Sequence, residues 1–406
     1  MKDFSDVWQP GLSLPQAVYT DPVCFDADMA RLMRDQWFLV DHASRIAKPG
    51  DYFLTQIGAE SVIVTRNRAG EVKAFYNACR HRGSRVCLER EGSRRTFTCP
   101  YHAWTYDLDG ALRSAQHMPE DFDRSQHGLK PVGVGEFEGL IFLNFAEPDQ
   151  APDFAAYTER FAPLLRGQGV ARTKIAARKT YPTEANWKLV VENFFECYHC
   201  LPAHKTYCSV HDKMKMLAFG AGSGSGVGAD IAAYMAKLKD WEASAAALGY
   251  PVGMWHDDGD GATFQSANRL PVADGALTES LDGKPLAPLM SDFGAFDGGQ
   301  TGCVFNPMAT LLVNNDHAVM FAFFPRSATQ TDVETIWLVR DDAVEGRDYD
   351  PAALMHVWDT TLMEDKTITE NNQLGVLSRA YQPGVYSAQE SRIADFGRWY
   401  MRLFTA

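Results

Sequence analysis

Apolar and polar positions change their rhythm twice along the chain. In YTDPVCFDADMARLMRDQW, Met29, Leu32, Met33 and Trp37 recur at helical spacing, with Asp21 as cap and Pro22 at the first helical position. From about Phe38 to Phe145 the period shortens to that of strands. FLVDHA, DYFLTQI, SVIVTRN, EVKAFYNA, TFTCPYHAWTYDL and LIFLNF are short, rich in Val, Ile, Phe, Tyr and Thr, and separated by turns such as Asp109-Gly110. They predict a small all-β module. EPDQAPDF, residues 147–154, reads as a linker. Beyond it the pattern is mixed, with helices predicted at 152–166, 185–200, 230–248 and from about Asp350 to Gly375, and strands at 301–326 and 331–340. GAGSGSGVG, 220–228, reads as a flexible loop, and 250–300 as mostly irregular. The predicted fold class is α+β in three parts: a helical segment, 1–37, packing on the C-terminal domain; an all-β domain, 38–147; and a C-terminal domain, 148–406, of antiparallel sheet and helices.

Length and composition narrow the function classes. With 406 residues, 46% hydrophobic and 22% charged, the chain is ordinary globular material of more than one domain. No run approaches the ~20 apolar residues of a membrane helix. MKDFSDVWQPG has an acid at Asp3 and no apolar centre, so it does not read as a signal peptide, and a cytoplasmic location is expected. The eight cysteines then read as thiols or metal ligands. A formal charge of -13 argues against a nucleic-acid surface.

Two clusters carry chemistry. Cys79-x-His81 and Cys99-x-x-His102 lie on loop tips between predicted strands and can close on one metal centre. A structural zinc of the Cys2His2 type is one reading. A [2Fe-2S] cluster, cysteines on one iron and histidines on the other, is the second. Around these loops stand Arg80, Arg82, Arg85, Arg90, Arg94 and Arg95, either a solvated face or a docking patch for an acidic electron donor.

The second cluster is NWKLVVENFFECYHCLPAHKTY. Read as a helix, it places Glu192, Glu196 and His199 on one face, with Pro202 ending the helix and His204 on the following turn. A carboxylate would complete the 2-His-1-carboxylate set of non-haem iron(II). In WDTTLMEDKTITENNQLGVLS, Trp358, Leu362, Asp365, Thr369, Asn372 and Val376 share one helical face. A carboxylate on an inward stripe calls for a partner, so Asp365 is the expected third ligand and Glu364 the runner-up.

Here the sequence resembles the Rieske non-haem iron oxygenases, the ring-hydroxylating alpha-subunit family. The two Cys/His pairs followed by W-x-Y-D-L-D-G, then NWK…EN…E-x-x-H-x4-H, then EDKTITENNQLGVLS occur in that family's order, from about Leu14 to Phe404. The resemblance implies an N-terminal all-β Rieske domain and a helix-grip-like catalytic domain carrying mononuclear iron. It implies Cys79, His81, Cys99 and His102 on the cluster, and His199, His204 and Asp365 on Fe(II). Respiratory-type Rieske domains carry an extra, disulfide-forming cysteine after each pair; nothing after His102 matches Cys87, so Cys87 is expected in the core. Glu196 stands where the family carries the acid linking the two centres, with a shorter spacer from Asn193 than usual. The implied assembly is a head-to-tail homotrimer, with His102 of one copy approaching Glu196 and His199 of the next. Electrons would come from NAD(P)H through a separate flavin- or ferredoxin-type reductase. Cys197, Cys200, Cys208, Tyr198 and Trp187 are expected to pack.

The glutamate in E-C-Y-H-C resembles oxygenases of quaternary ammonium compounds such as glycine betaine and stachydrine. Those oxidise an N-methyl group and release formaldehyde. A cationic head favours aromatic walls and a carboxylate an arginine or amide. Phe195, Phe305 and Phe321, with Phe323 and Phe324 beside them, are the candidate contacts, and Trp255 and His256 a candidate lid or plain surface. The competing readings are an aromatic ring hydroxylase or O-demethylase of the same family, a Rieske electron carrier without catalysis, and a zinc-stabilised interaction protein.

Overall fold

A computed structural model describes residues 8–212, 228–290 and 292–405. Most of the loop expected at 220–228 lies outside these residues; Gly228 itself opens the helix Gly228–Ala247. The chain divides into two compact units, Leu32–Phe154 and Met1–Arg31 together with Ala155–Ala406. The first boundary falls earlier than the sequence suggests. The indole N–H of Trp37 donates to the Pro152 carbonyl at 3.0 Å and its ring packs on Phe154, so these residues belong with the strands.

The smaller unit holds three antiparallel sheets. Phe38–His42, Leu140–Asn144 and Gly133–Phe137 form one; Val72–Tyr76, Glu60–Arg66, Asp51–Ile57 and Glu91–Ser93 a second; Phe97–Thr98, Thr105–Tyr106 and Leu112–Ser114 a third. TFTCPYHAWTYDL is thus not one strand but two short ones flanking a loop. Asp107 makes the next turn by accepting the N–H groups of Asp109 and Ala111 at 3.0 and 2.9 Å. Gly110 closes it at φ 82°, where a Cβ would sit 2.4 Å from the Phe75 ring.

In the larger unit a seven-stranded antiparallel sheet runs in the order Thr173–Thr183, Gln330–Arg340, His317–Ser327, Ala309–Val313, Gly299–Asn306, Ser266–Pro271, Gly253–His256. The helices Pro351–Val376 and Trp187–Phe194 pack on it and on each other. Two of its strands fall in the stretch read as irregular. The cause is Arg269, fully buried in Ser266–Pro271 and paired twice with Asp297 at 2.8 and 2.9 Å, which breaks the apolar alternation. The helix expected at 152–166 is two short ones, Phe154–Glu159 and Ala162–Leu165, the second restarted by Pro163.

The N-terminal helix Pro22–Asp35 is capped by Asp21, which accepts the Val23 N–H at 2.9 Å. It buries Asp28, which pairs with Lys188 and accepts from Trp187 Nε1 at 3.0 Å and the Tyr400 hydroxyl at 2.8 Å. No helix among the described residues is long and apolar enough to cross a membrane.

Candidate metal centres

In the smaller unit, Cys79 and His81 lie between Val72–Tyr76 and Glu91–Ser93, and Cys99 and His102 between Phe97–Thr98 and Thr105–Tyr106. Each loop folds back on its cysteine: Gly83 N–H donates to the Cys79 carbonyl at 2.9 Å, and Ala103 N–H to that of Cys99 at 3.0 Å. Ala103 does so at φ 58°, a strained backbone for a residue with a Cβ. Both thiols are buried, and both imidazoles are exposed. The imidazole rings stand 4.7 Å apart. Trp104 stacks on His81 at 4.9 Å, and the Tyr106 hydroxyl lies 3.2 Å from Cys79 Sγ while accepting the Arg80 N–H at 3.0 Å. Burial pushes the Cys79 thiol up; bound iron would hold it as thiolate.

Paired sulfurs and paired nitrogens fit an iron pair with thiolates on one metal and imidazoles on the other. A lone zinc needs its donors around one point. Among the described residues, the group of three such donors within 4.8 Å lies elsewhere, at His199, His204 and Asp365. Cys87 is buried in the β core, and burial pushes its thiol up to about 12.

The second centre forms where the helix Trp187–Phe194 breaks. Asn186 caps its start, accepting the Lys188 N–H at 3.0 Å. It ends at Phe194, short of the predicted 200. The Glu196 carboxylate accepts the N–H groups of Tyr198 and, at 3.2 Å, His199, so the chain turns over this acid rather than continuing the helix. Glu192, Glu196 and His199 therefore do not share a helical face, although all three line one cavity of about 270 Å³. Glu192 is buried and accepts the Tyr19 hydroxyl at 2.9 Å, whereas Glu196 meets His199 Nδ1. Pro202 does not end the long helix but lies inside the short helix Cys200–Ala203.

Asp365 arrives from Pro351–Val376. Its Oδ1 is 2.9 Å from His204 Nε2 and 3.4 Å from His199 Nε2. The other ring nitrogens are engaged, His199 Nδ1 by Glu196 and His204 Nδ1 by Glu364 Oε2 at 2.8 Å. Those contacts place the ring protons on Nδ1 and aim the Nε2 lone pairs at Asp365. His204 Nε2 and Asp365 Oδ1 are buried with no hydrogen-bond partner. Buried donor atoms converging in this way fit a divalent cation, and two imidazoles with one carboxylate suit iron(II). In the metal-free chain, burial opposes a charged His199, but Asp365 and Glu196 outweigh it and push its pKa up to about 10. Burial likewise pushes the Asp365 carboxyl up, yet the two imidazoles hold it below the usual range. Glu364, the runner-up ligand, instead supports one. Asn193 Nδ2 stands 3.3 Å from His199 Nε2.

The triad opens on a cavity of about 200 Å³. Phe194, Tyr207 and Trp358 supply its aromatic wall, Asn268 and Gln300 its amides, and no lysine or arginine lines it among the described residues. The three predicted phenylalanines are not in that lining. Phe195 packs on Phe264 and Phe396, Phe305 on Phe161, and Phe321 lies behind Trp358 and Phe194. Trp255 is an edge-strand residue under the Arg160 guanidinium at 4.0 Å, not a lid. Tyr198 is exposed rather than packed, Cys197 and Cys200 line the cavity, and Trp187 is fully buried. Asn372 is exposed, and its place on the buried stripe is taken by Gln373, which accepts the Asn186 N–H at 2.8 Å. Trp358 and Tyr207 were within reach of the sequence: one lies two turns before Asp365, the other one turn after His204. Asn268 was not, since it sits on the strand disguised by Arg269.

Comparison with known proteins agrees with both centres. Residues 36–132 match the Rieske [2Fe-2S] domain, and residues 170–406 the ring hydroxylating alpha subunit catalytic domain. The glycine betaine monooxygenase oxygenase subunit of Chromohalobacter salexigens is 37% identical over 401 residues, 96% of this chain and 85% of that protein. The carnitine monooxygenase oxygenase subunit of Escherichia coli K12 is 36% identical over 203 residues, 48% of this chain and 53% of that protein. The quaternary ammonium Rieske monooxygenase CntA, solved with L-carnitine, has the same fold, with a TM-score of 0.68 at 24% identity and 97% of each chain covered. The chain therefore belongs to the Rieske non-haem iron oxygenases, with a [2Fe-2S] cluster and a mononuclear iron as its cofactors.

Proposed function

We propose that this oxygenase hydroxylates an N-methyl group of a small quaternary ammonium or tertiary amine, of the glycine betaine or stachydrine kind, and releases formaldehyde. The observation that carries the reading is the small cavity beside the triad, walled by Phe194, Tyr207 and Trp358 and lined by no lysine or arginine among the described residues. Aromatic faces attract an ammonium head that a cationic side chain would repel. The names of the relatives, glycine betaine and carnitine monooxygenases, support it.

The step balances when one N-methyl group, dioxygen, two electrons and two protons give an N-hydroxymethyl group and water. The C–N bond of that hemiaminal then breaks, and a quaternary substrate yields the tertiary amine, formaldehyde and a proton. Iron, when bound, supplies dioxygen activation. The chain supplies position. His199, His204 and Asp365 would hold the ion. Glu196 and Glu364 fix the two imidazole rings. The Asn268 and Gln300 amides orient a substrate carboxylate, and the aromatic wall excludes water from the methyl group.

Electrons reach the cluster, in this reading, from NAD(P)H through a flavin- or ferredoxin-type reductase. A head-to-tail trimer brings His102 of one copy to Glu196 and His199 of the next. The protein works in the cytoplasm, in this reading, where Cys79 and Cys99 serve the cluster and the other six cysteines stay as thiols.

The test is turnover of the purified, iron-loaded protein with a reductase and NADH on glycine betaine, stachydrine, carnitine, choline and substituted benzoates. Formaldehyde matched to dioxygen uptake is expected from an N-methyl substrate. Turnover confined to an aromatic, or dioxygen uptake without formaldehyde, sinks the ammonium reading.

A further inference from the structure

A buried charge that the chemistry above does not use stands behind the cavity wall. Glu279 lies in the loop between Ser266–Pro271 and Gly299–Asn306 and is 2% exposed. Its Oε2 accepts the indole N–H of Trp358 at 2.7 Å, and its Oε1 lies 2.9 Å from His211 Nε2. Trp358 and His211 line the cavity; Glu279 does not. The His211 ring stacks on Tyr207 at 4.0 Å, and Tyr207 meets Trp358 edge-on at 5.6 Å. One carboxylate thus sets three walls of the cavity.

The loop that carries it is itself anchored. Thr278 Oγ1 donates to Asp316 Oδ1 at 2.6 Å, and Asp316 pairs with His317 at 2.8 Å. Burial pushes the Glu279 carboxyl up, but His211 and His317 outweigh burial and hold it below the usual range. A buried carboxylate is expensive even when paired, and a neutral acceptor would satisfy the indole equally well. The charge therefore asks for a use.

We propose that Glu279 is a positioning residue that tunes this cavity for a cation. Bonded to the indole N–H, it pushes electron density onto the Trp358 ring, and through His211, whose Nδ1 donates to the Tyr207 carbonyl at 3.1 Å, it holds Tyr207, so that Trp358 and Tyr207 are the faces offered to the ammonium head. The proposal rests on the quaternary ammonium reading above.

The test is calorimetric titration of the holoprotein with glycine betaine and with tert-butylacetate, its isostere bearing carbon in place of the charged nitrogen. Wild type is expected to prefer glycine betaine. In Glu279→Gln, glycine betaine should bind about tenfold more weakly and tert-butylacetate less than about twofold, so that selectivity collapses. Equal weakening of both ligands marks a structural role and overturns the proposal, as does no change. Should Glu279→Gln fail to fold, Glu279→Asp keeps the carboxylate but draws it back from the indole N–H by one methylene and leaves the Trp358 ring intact. It should show the same selective loss, and retained selectivity overturns the proposal. A wild type that does not distinguish the two ligands brings down the ammonium reading itself, and this proposal with it. A discriminating wild type with an unaltered variant removes only the part given to Glu279.

Discussion

Each imidazole of the triad has its own carboxylate behind it, and the two acids are not equivalent. Glu364 Oε2 meets His204 Nδ1 at 2.8 Å and so orients one ring. Glu196 meets His199 Nδ1 and also holds the turn that presents it. Glu364→Gln should therefore weaken iron binding about 10–100-fold, read by chelator competition, and leave the cluster spectrum intact. Asp365→Ala should lose the mononuclear iron and turnover while the red-brown cluster colour remains. Glu196→Gln should keep both metals yet couple them poorly; turnover at the native rate would remove its linking role. Glu192 makes a separate prediction. Burial raises its carboxyl from 4.5 to about 8, against the pull of the Tyr19 hydroxyl and Lys188. A folded pKa above the unfolded one contributes stability that is full below pH 4.5 and lost as pH rises towards 8. In Glu192→Gln that decline should vanish, so thermal melts of variant and wild type should diverge in the variant's favour between pH 5 and 8. At this scale the convergence of His199, His204 and Asp365 was legible, because ligation demands particular residue types at particular spacings. The cavity wall was legible only in part: Trp358 and Tyr207 follow from the helical spacing of the triad, and Asn268 does not. Aromatic residues are abundant in any core, and only the pleat and the helix phase decide whether Phe321 or Trp358 faces the metal.

Elements were legible where one rhythm ran unbroken, as in Pro351–Val376 or Gln330–Arg340, whereas the stretch read as strand over 301–326 divides among Gly299–Asn306, Ala309–Val313 and His317–Ser327. They were misread where a side chain captured backbone groups. Glu196 ended a helix whose apolar period continued, and Arg269 hid a strand behind a buried charge. The N-terminal helix shows a third case: its inward face carries Asp28, an acid that the apolar pattern passes over. Asp28 and Lys188 are both fully buried and paired, and Trp187 and Tyr400 satisfy the remaining valence of the acid. Lys188→Met leaves that acid unpaired and should destabilise the protein by about 3–5 kcal/mol in denaturant titration. Adding Asp28→Asn should recover a large part of the loss, since the buried charge is then gone.

The whole molecule carries a net charge of -13, yet six exposed arginines, Arg80, Arg82, Arg85, Arg90, Arg94 and Arg95, lie within the stretch from Cys79 to Cys99. Arg94 is offset by Glu89 at 2.6 Å, and Arg82 lies against Tyr101. A positive patch beside an electron-transfer centre, on an otherwise acidic chain, speeds encounter with an acidic donor. Arg82→Glu combined with Arg85→Glu should slow stopped-flow reduction of the cluster by the reductase about tenfold at low salt, and the gap should close as salt rises. Equal rates at low salt would assign the arginines to solvation alone. The helix Pro351–Val376 has a longer-range consequence. It carries both Asp365 and Trp358, two turns or about 10 Å apart along one rigid rod. Any change that moves the wall on this rod also moves the ligand. Retargeting the enzyme, by evolution or in the laboratory, is therefore simplest at wall residues off this rod, such as Asn268, Gly302 and Leu312 on the sheet. There, substitutions can reshape what enters the site without disturbing the iron.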